Sequence, residues 1–278
     1  MKTNILFYGN RQTKHIFDII NLSDNYNISH IFCGNTDLDK ESFTEIIKNQ
    51  DIIITQPLKE GYRNVDYLSL DYILQHKKPT CKLIIFNCLK FSFYYFDQIH
   101  IYSSKNNIID HYHSMIECFE KGDTIDYYLA NYVYNVDLKT SAELEMIANH
   151  SLNEIYERDL ITKEKYEGDN VYVIPTFNFI KENYKDKLLF YTDSVPTKHM
   201  IQYICECILD ISQIPNTINY NMDILFCTRS ILYKCIQKNV NFNIEDNTPT
   251  LKNVIGDFYK IVELYYDTYR EYGIPQLK

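Results

Sequence analysis

The stretch Asn4-Ile5-Leu6-Phe7-Tyr8-Gly9-Asn10-Arg11-Gln12 constrains the fold of this chain most. Its apolar run, Ile5 to Tyr8, is too short for a helix that stands alone and suits a strand buried on both faces of a parallel sheet. Gly9 breaks the run where the chain must turn sharply. Beyond it, His15, Ile16, Ile19, Ile20 and Leu22 recur at helical spacing, so a helix starts close to Arg11. Strand, tight turn and helix start bring backbone N–H groups and a positive dipole end to the carboxyl edge of a sheet. An anion or a developing oxyanion is stabilised there. The same residues also read as an ordinary first strand–helix unit with no chemistry.

The unit recurs. Apolar runs at 28–33, 51–55 and 83–86 are separated by helical patterns at 39–49 and 66–76. Strands alternating with helices imply right-handed crossovers and a three-layer α/β domain with a mostly parallel, doubly wound sheet. Residues 109–158 carry a helical period throughout, 171–174 form a brief β-like run ending at Pro175, and 188–192 read as the last strand. A helix then covers 197–211, with Pro196 where a first turn tolerates it. After Pro215 the alternation is lost, and 223–238 and 251–272 read as two amphipathic helices. The expected domains are therefore residues 1–212, α/β, and 213–278, a helical extension packed on the same domain, whose apolar faces could also join a second copy. Residues 91–96 are strongly aromatic and read as core or pocket wall, since no basic residues interleave them.

Charge and cysteine usage narrow the partners. A formal net charge of −9 argues against coating nucleic acid or an anionic membrane. An anionic ligand needs a local basic pocket, and arginine is scarce: Arg11, Arg63, Arg158, Arg229 and Arg270 are the whole set. Each is of interest because a planar guanidinium clamps phosphate in a way lysine does not. The eight cysteines are scattered without a CxxC pair, so neither a metal site nor a disulfide framework is indicated. With no apolar leader or spanning segment, the reading is a soluble, cytoplasmic protein.

A series of short motifs then occurs in order: Gly9-Asn10-x-Gln12; Ile54-Thr55-Gln56-Pro57 with Gly61-Tyr62-Arg63; the aromatic 86–97 segment; Tyr112-His113; Glu157-Arg158; and Leu189-Phe190-x-Thr192 with Pro196 opening a helix. Over about residues 4–211 this series resembles the WcbI-like enzymes of polysaccharide biosynthesis. The resemblance implies an SGNH-hydrolase- or flavodoxin-like fold, binding of coenzyme A, and acetylation of sugars in surface glycans. Two positions depart from the family pattern. Arg11 stands where the family has Cys, and Ser194-Val195-Pro196 stands where it has Asn-His-Pro.

A thiolate nucleophile and its histidine are thus both missing at their expected places. Acetyl transfer does not need them, because an unprotonated amine attacks an activated thioester directly in a ternary complex. The expected activity is acetyl-coenzyme A-dependent transfer of an acetyl group to a sugar, directed at the amine of a nucleotide-linked amino sugar. Asn10, Gln12 and the N–H groups of the helix start suit the oxyanion. Gly9, Asn10, Arg11, Gln12, Gln56, Arg63 and Arg158 are the expected coenzyme A contacts. His113 is the first candidate for the base and His199 the second. Rival readings are an SGNH-like esterase or deacetylase, although no Gly-Asp-Ser motif opens the chain, and a non-catalytic coenzyme A-binding module.

Overall fold

The computed structural model describes residues 2–20, 25–34, 38–101, 110–215, 218, 230–242, 250–251, 254–255 and 257–274, without the side chains of Arg63, Thr250, Leu251, Val254 and Ile255. The elements run β1 (Thr3–Gly9), α1 (Arg11–Ile19), β2 (Tyr26–Phe32), α2 (Lys40–Lys48), β3 (Ile52–Thr55), α3 (Leu70–His76) and β4 (Lys82–Phe86). Then follow β5 (Gln98–His100), β6 (Asp110–Tyr112), α4 (His113–Lys121), α5 (Ile125–Tyr128), α6 (Ser141–Tyr166) and β7 (Val171–Ile174). The chain ends with α7 (Phe177–Asn183), α8 (Lys198–Ser212), α9 (Lys234–Gln237), β8 (Thr250–Leu251), β9 (Val254–Ile255) and α10 (Phe258–Tyr272). It divides into two compact units: 1–89, 153–182 and 196–225 form the first, and 90–152, 183–195 and 226–278 the second. The division does not follow residue 212. Residues 90–152 and 183–195, which the sequence reading placed with the α/β domain, group with the C-terminal helices.

The first unit is a five-stranded sheet in the order β2-β1-β3-β4-β7 with every pair parallel. This is the flavodoxin-like doubly wound order, in which the chain reverses direction across the sheet between β1 and β3. Period-two alternation divides each strand between two cores. Leu6, Tyr8, Ile53, Leu83, Ile85 and Val173 pack on one face with Phe43 and Ile47 of α2 and Leu70 and Ile73 of α3. Ile5, Phe7, Ile54 and Ile84 are buried on the other, where α1 and α8 lie. Gly9 is required by close approach: a Cβ there would come within 2.2 Å of Thr13 Oγ1 and 3.0 Å of Gln56 Oε1.

Strands expected at 4–8, 28–33, 51–55 and 83–86 are present to within a few residues, but the fifth sheet strand is β7, not 188–192. The 188–192 run belongs to the core of the second unit. Its backbone is met from elsewhere: Tyr95 Oη donates to the Phe190 carbonyl at 3.0 Å, and Tyr191 N donates to the Val195 carbonyl at 2.7 Å. An apolar run of that length reads alike in a strand and in a packed loop.

The second unit is built on the aromatic 91–96 segment. Phe91 makes edge contacts to Tyr94 at 5.3 Å and Tyr184 at 5.6 Å, which settles these rings as core. The long helix expected over 109–158 is interrupted by β6 and by Gly122, whose φ of +78° ends α4 in a left-handed cap. The helix expected over 251–272 starts only at Phe258, because Asp257 accepts from Tyr259 N at 3.0 Å and caps it there. Residues 223–229 of the other expected helix lie outside the described residues, and of its remainder only α9 is helical. Among the described residues no helix is long and apolar enough to cross a membrane.

Candidate functional site

A cavity of about 790 Å³ opens in the first unit at the carboxyl edge of the sheet. That size falls in the roughly 300–1,000 Å³ range of small-molecule sites, and the place is the topological switch point of a doubly wound sheet. Most of its walls come from segments that leave a strand. Asn10 follows β1, Cys33 follows β2, Gln56 to Glu60 and Tyr62 follow β3, and Asn87 and Cys88 follow β4. The remaining wall is one stripe of α6, Arg158, Ile161, Thr162, Lys165 and Tyr166, with Asp71 of α3 opposite. Steps of three and four residues keep that stripe on one helix face and set Arg158 and Lys165 about 10 Å apart along the axis.

The turn after β1 is held by two glutamines. Gln12 donates to the Leu89 carbonyl at 2.8 Å and accepts from Leu89 N at 2.9 Å, so its buried amide pairs with backbone as a strand would. Gln56 Nε2 donates to Gln12 Oε1 at 3.0 Å, and Asn10 N donates to Gln56 Oε1 at 3.1 Å. Asn10 Oδ1 accepts from Gln12 N at 2.8 Å and caps α1. Two backbone N–H groups expected for an oxyanion are therefore already bonded, and Gln12 faces the protein. Asn10 lines the cavity, and its Nδ2 lies 3.9 Å from Cys88 Sγ.

Arg158 is half-buried, and its guanidinium donates to the Cys88 carbonyl at 3.1 Å and to the Glu154 carbonyl at 3.3 Å. Lys165 Nζ lies 3.2 Å from Asp71 Oδ2 and donates to Tyr166 Oη at 2.7 Å. Cys88 is exposed, while Cys33, Cys81, Cys118, Cys205 and Cys235 are buried. Burial pushes the Cys81, Cys118 and Cys235 thiols up to about 11, which keeps them protonated and idle.

The cavity thus brings together Asn10, Gln56 and Arg158 of the residues expected from sequence, with Gly9 and Gln12 shaping the turn behind them. Arg11 is exposed at the start of α1 and is not in the lining. Arg63 sits in a short turn after β3, in the expected loop. His113 belongs to the second unit, where its Nε2 pairs with Glu117 at 3.0 Å. His199 lies on α8, and neither histidine lines the cavity. Sequence reasoning passed over Lys59, Lys165, Asn87 and Tyr166. The signal was present in the 158/161/162/165 spacing and in Asn87 as the first residue past a buried strand. Among the described residues no group of three or more His, Cys, Asp or Glu side chains could hold a metal ion.

Fold and cavity define the class: a doubly wound α/β protein with a cavity of small-molecule size at the carboxyl edge of its sheet. The family model described as polysaccharide biosynthesis enzyme WcbI matches residues 4–217, and the chain belongs to that family of polysaccharide biosynthesis enzymes. Among solved structures it is similar to WcbI itself, described as a novel polysaccharide biosynthesis enzyme in a native form without a disulfide bond between coenzyme A and a cysteine. The TM-score is 0.74 at 16% identity, covering 98% of this chain and 96% of that one. No curated protein matches the chain.

Proposed function

We propose that this chain transfers the acetyl group of acetyl-coenzyme A to a sugar in glycan biosynthesis, directly, and that the acceptor is the amine of a nucleotide-linked amino sugar. The observation that carries the reading is the cavity at the switch point, with Lys59, Lys165 and Arg158 in its walls and Asn10 beside Cys88 in its lining. The cations suit phosphates, Tyr62 and Tyr166 offer rings to a base, and Asn10 donates to the thioester oxygen as negative charge grows there. Coenzyme A also appears in the description of the solved structure with the same fold.

In the step proposed, the amine nitrogen forms a bond to the thioester carbon, the carbon–sulfur bond breaks, and the proton shed by nitrogen ends on the departing thiolate. No net proton is lost, so the absence of histidine from the lining does not stop the reaction. What the protein supplies is position and a donor for the oxyanion.

Calorimetry with coenzyme A tests the site. Arg158→Ala is expected to weaken binding by about 1.5–3 kcal/mol, the value of a hydrogen bond to a charged group. Unchanged affinity rejects the placement. Mass spectrometry after mixing with acetyl-coenzyme A alone tests the route: an acetyl group on Cys88 that passes on to an acceptor would overturn direct transfer.

A further inference from the structure

The α6 wall of the cavity rests on a buried polar set. Asn87 donates from Nδ2 to Asp159 Oδ1 at 2.9 Å and to the Arg158 carbonyl at 3.2 Å, and accepts at Oδ1 from Thr162 Oγ1 at 2.8 Å. The neighbouring residues return the grip: Arg158 Nη1 donates to the Cys88 carbonyl at 3.1 Å. Residues 87–88 and 158–159 therefore hold each other from both sides. Asp159 extends the set to α7, accepting from Thr176 N at 2.6 Å and Phe177 N at 2.9 Å. Asn87, Asp159 and Thr162 are all buried.

Apolar side chains of similar volume would hold a helix on a sheet about as well, because buried polar groups gain little net stability over them. What a directional set adds is register. A slip of α6 by one residue moves every side chain by about 100° around its axis and 1.5 Å along it, since a turn holds 3.6 residues. Such a slip would take Arg158 out of the cavity wall and Thr162 away from Asn87. Only one register satisfies all the donors and acceptors given above.

We propose that Asn87, Asp159 and Thr162 are positioning residues of the cleft: they lock α6 against the end of β4 in the register that presents the Arg158 guanidinium to an anionic group of the ligand. The bonds from Arg158 to the Cys88 and Glu154 carbonyls fix the plane of the fork, and the buried set fixes the backbone from which it springs. Which anion is recognised rests on the coenzyme A reading. The clamp itself does not.

Two readouts separate the claims. The first is the affinity for coenzyme A by calorimetry. The second is the rate at which Cys88 is alkylated by iodoacetate, an anion, relative to neutral iodoacetamide, with the label mapped by peptide mass spectrometry. That ratio reports a cation held beside Cys88 and needs no ligand. Arg158→Ala is expected to lower the ratio severalfold and to weaken coenzyme A by about tenfold or more, as for a charged hydrogen bond. Thr162→Val should move both readouts the same way by about two- to tenfold, the equivalent of one neutral hydrogen bond. Thr162→Ser, which keeps the hydroxyl, should restore both. If the valine variant does not fold, Thr162→Ala makes the same comparison. A folded Thr162→Val or Thr162→Ala protein with ratio and affinity both unchanged overturns the clamp and leaves the coenzyme A reading standing. A wild type that ignores coenzyme A, with a ratio that still falls in Thr162→Val, keeps the clamp and removes that reading.

Discussion

The cavity of the first unit and the tyrosine–carboxylate cluster of the second are made of the same kinds of atoms and differ in what they leave open. In the cluster, Tyr233 Oη and Ser114 Oγ each donate to Asp97 Oδ2 at 2.6 Å, and Tyr128 Oη pairs with Tyr233 Oη at 2.6 Å. Burial drives the Asp97 carboxyl up against these hydrogen bonds, and it drives the Tyr128 and Tyr233 phenols far above their ordinary range. Yet the gap beside them, walled by Asp97, Tyr112 and Tyr233, has no room for a water molecule. The cavity, by contrast, is wide and is lined by the half-buried Arg158, the exposed Lys59 and Lys165, and an exposed thiol. Perturbed titration marks desolvation wherever it occurs, in structural networks as well as in active sites. Open space decides between the two.

The comparison breaks if the closed cluster does not hold the second unit together. Asp97→Ala removes the acceptor for Tyr233 and Ser114 Oγ, and for Ser114 N, which sits 3.2 Å from both carboxylate oxygens at the start of α4. Leaving several buried donors unmet should cost about 2–4 kcal/mol of folding stability. Urea denaturation measures it, and Asp97→Asn, which keeps one acceptor, should recover part. A loss of the size seen at a surface carboxylate would mean the cluster is not structural.

The two regions also differ in how far the sequence disclosed them. The sheet was legible because apolar runs ending at Gly9 and at Gln56-Pro57 have one reading in an alternating chain. The switch point follows from strand order, and strand order is not written in any local pattern. The 188–192 run reads as a strand because burial in a sheet and burial against Phe91, whose ring lies 6.0 Å from that of Phe190, demand the same side chains. Asn10, Gln56 and Arg158 were found from motif positions, but that Gln12 turns inward could not be, since its partner Leu89 is distant in sequence. The cluster around Asp97 was invisible for the same reason: Tyr233 reaches Asp97 across more than a hundred residues.

A second prediction sharpens the comparison through pH. In the second unit His100 is held between carboxylates, Nδ1 to Asp110 at 2.6 Å and Nε2 to Asp193 at 2.8 Å, with Lys90 Nζ 3.4 Å from Asp193. The hydrogen bonds to Asp110 and Asp193 raise the imidazole to about 9 in spite of partial burial. Burial pushes the Asp193 carboxyl up, but the His100 hydrogen bond and charge, with Lys90, bring it below its ordinary value. An imidazole raised on folding adds stability that is complete below its unfolded value near 6.5 and fades as pH rises through 9. Tm should therefore fall between about pH 6.5 and 9.5 more steeply in the wild type than in His100→Gln. Because His100 meets solvent, screening keeps the effect below that of Asp97→Ala. Parallel Tm profiles would show that the His100 pairing with Asp110 and Asp193 does not contribute to stability in this range.

The smallest expected effect lies at the lip of the cavity and is informative because it is small. Cys88 is exposed, and Asn10 Nδ2 approaches its sulfur no closer than 3.9 Å, a weak contact for so poor an acceptor. Replacing the sulfur by a hydroxyl creates no void in a packed interior and strands no buried donor. Cys88→Ser should therefore change stability by no more than about 0.5 kcal/mol, as surface substitutions do. Cys118 makes the control, since its side chain is buried in the second unit and its thiol is held up at about 11 by desolvation. Cys118→Ser puts a stronger, more strongly hydrated hydroxyl into that packing and should cost clearly more. In the folded wild type a neutral alkylating reagent should label Cys88 well before Cys118. If Cys88→Ser instead costs as much as Cys118→Ser, and the two thiols label at one rate, the lip of the cavity is packed like the closed cluster. The volume that separates the two regions would then not be available to a ligand in solution.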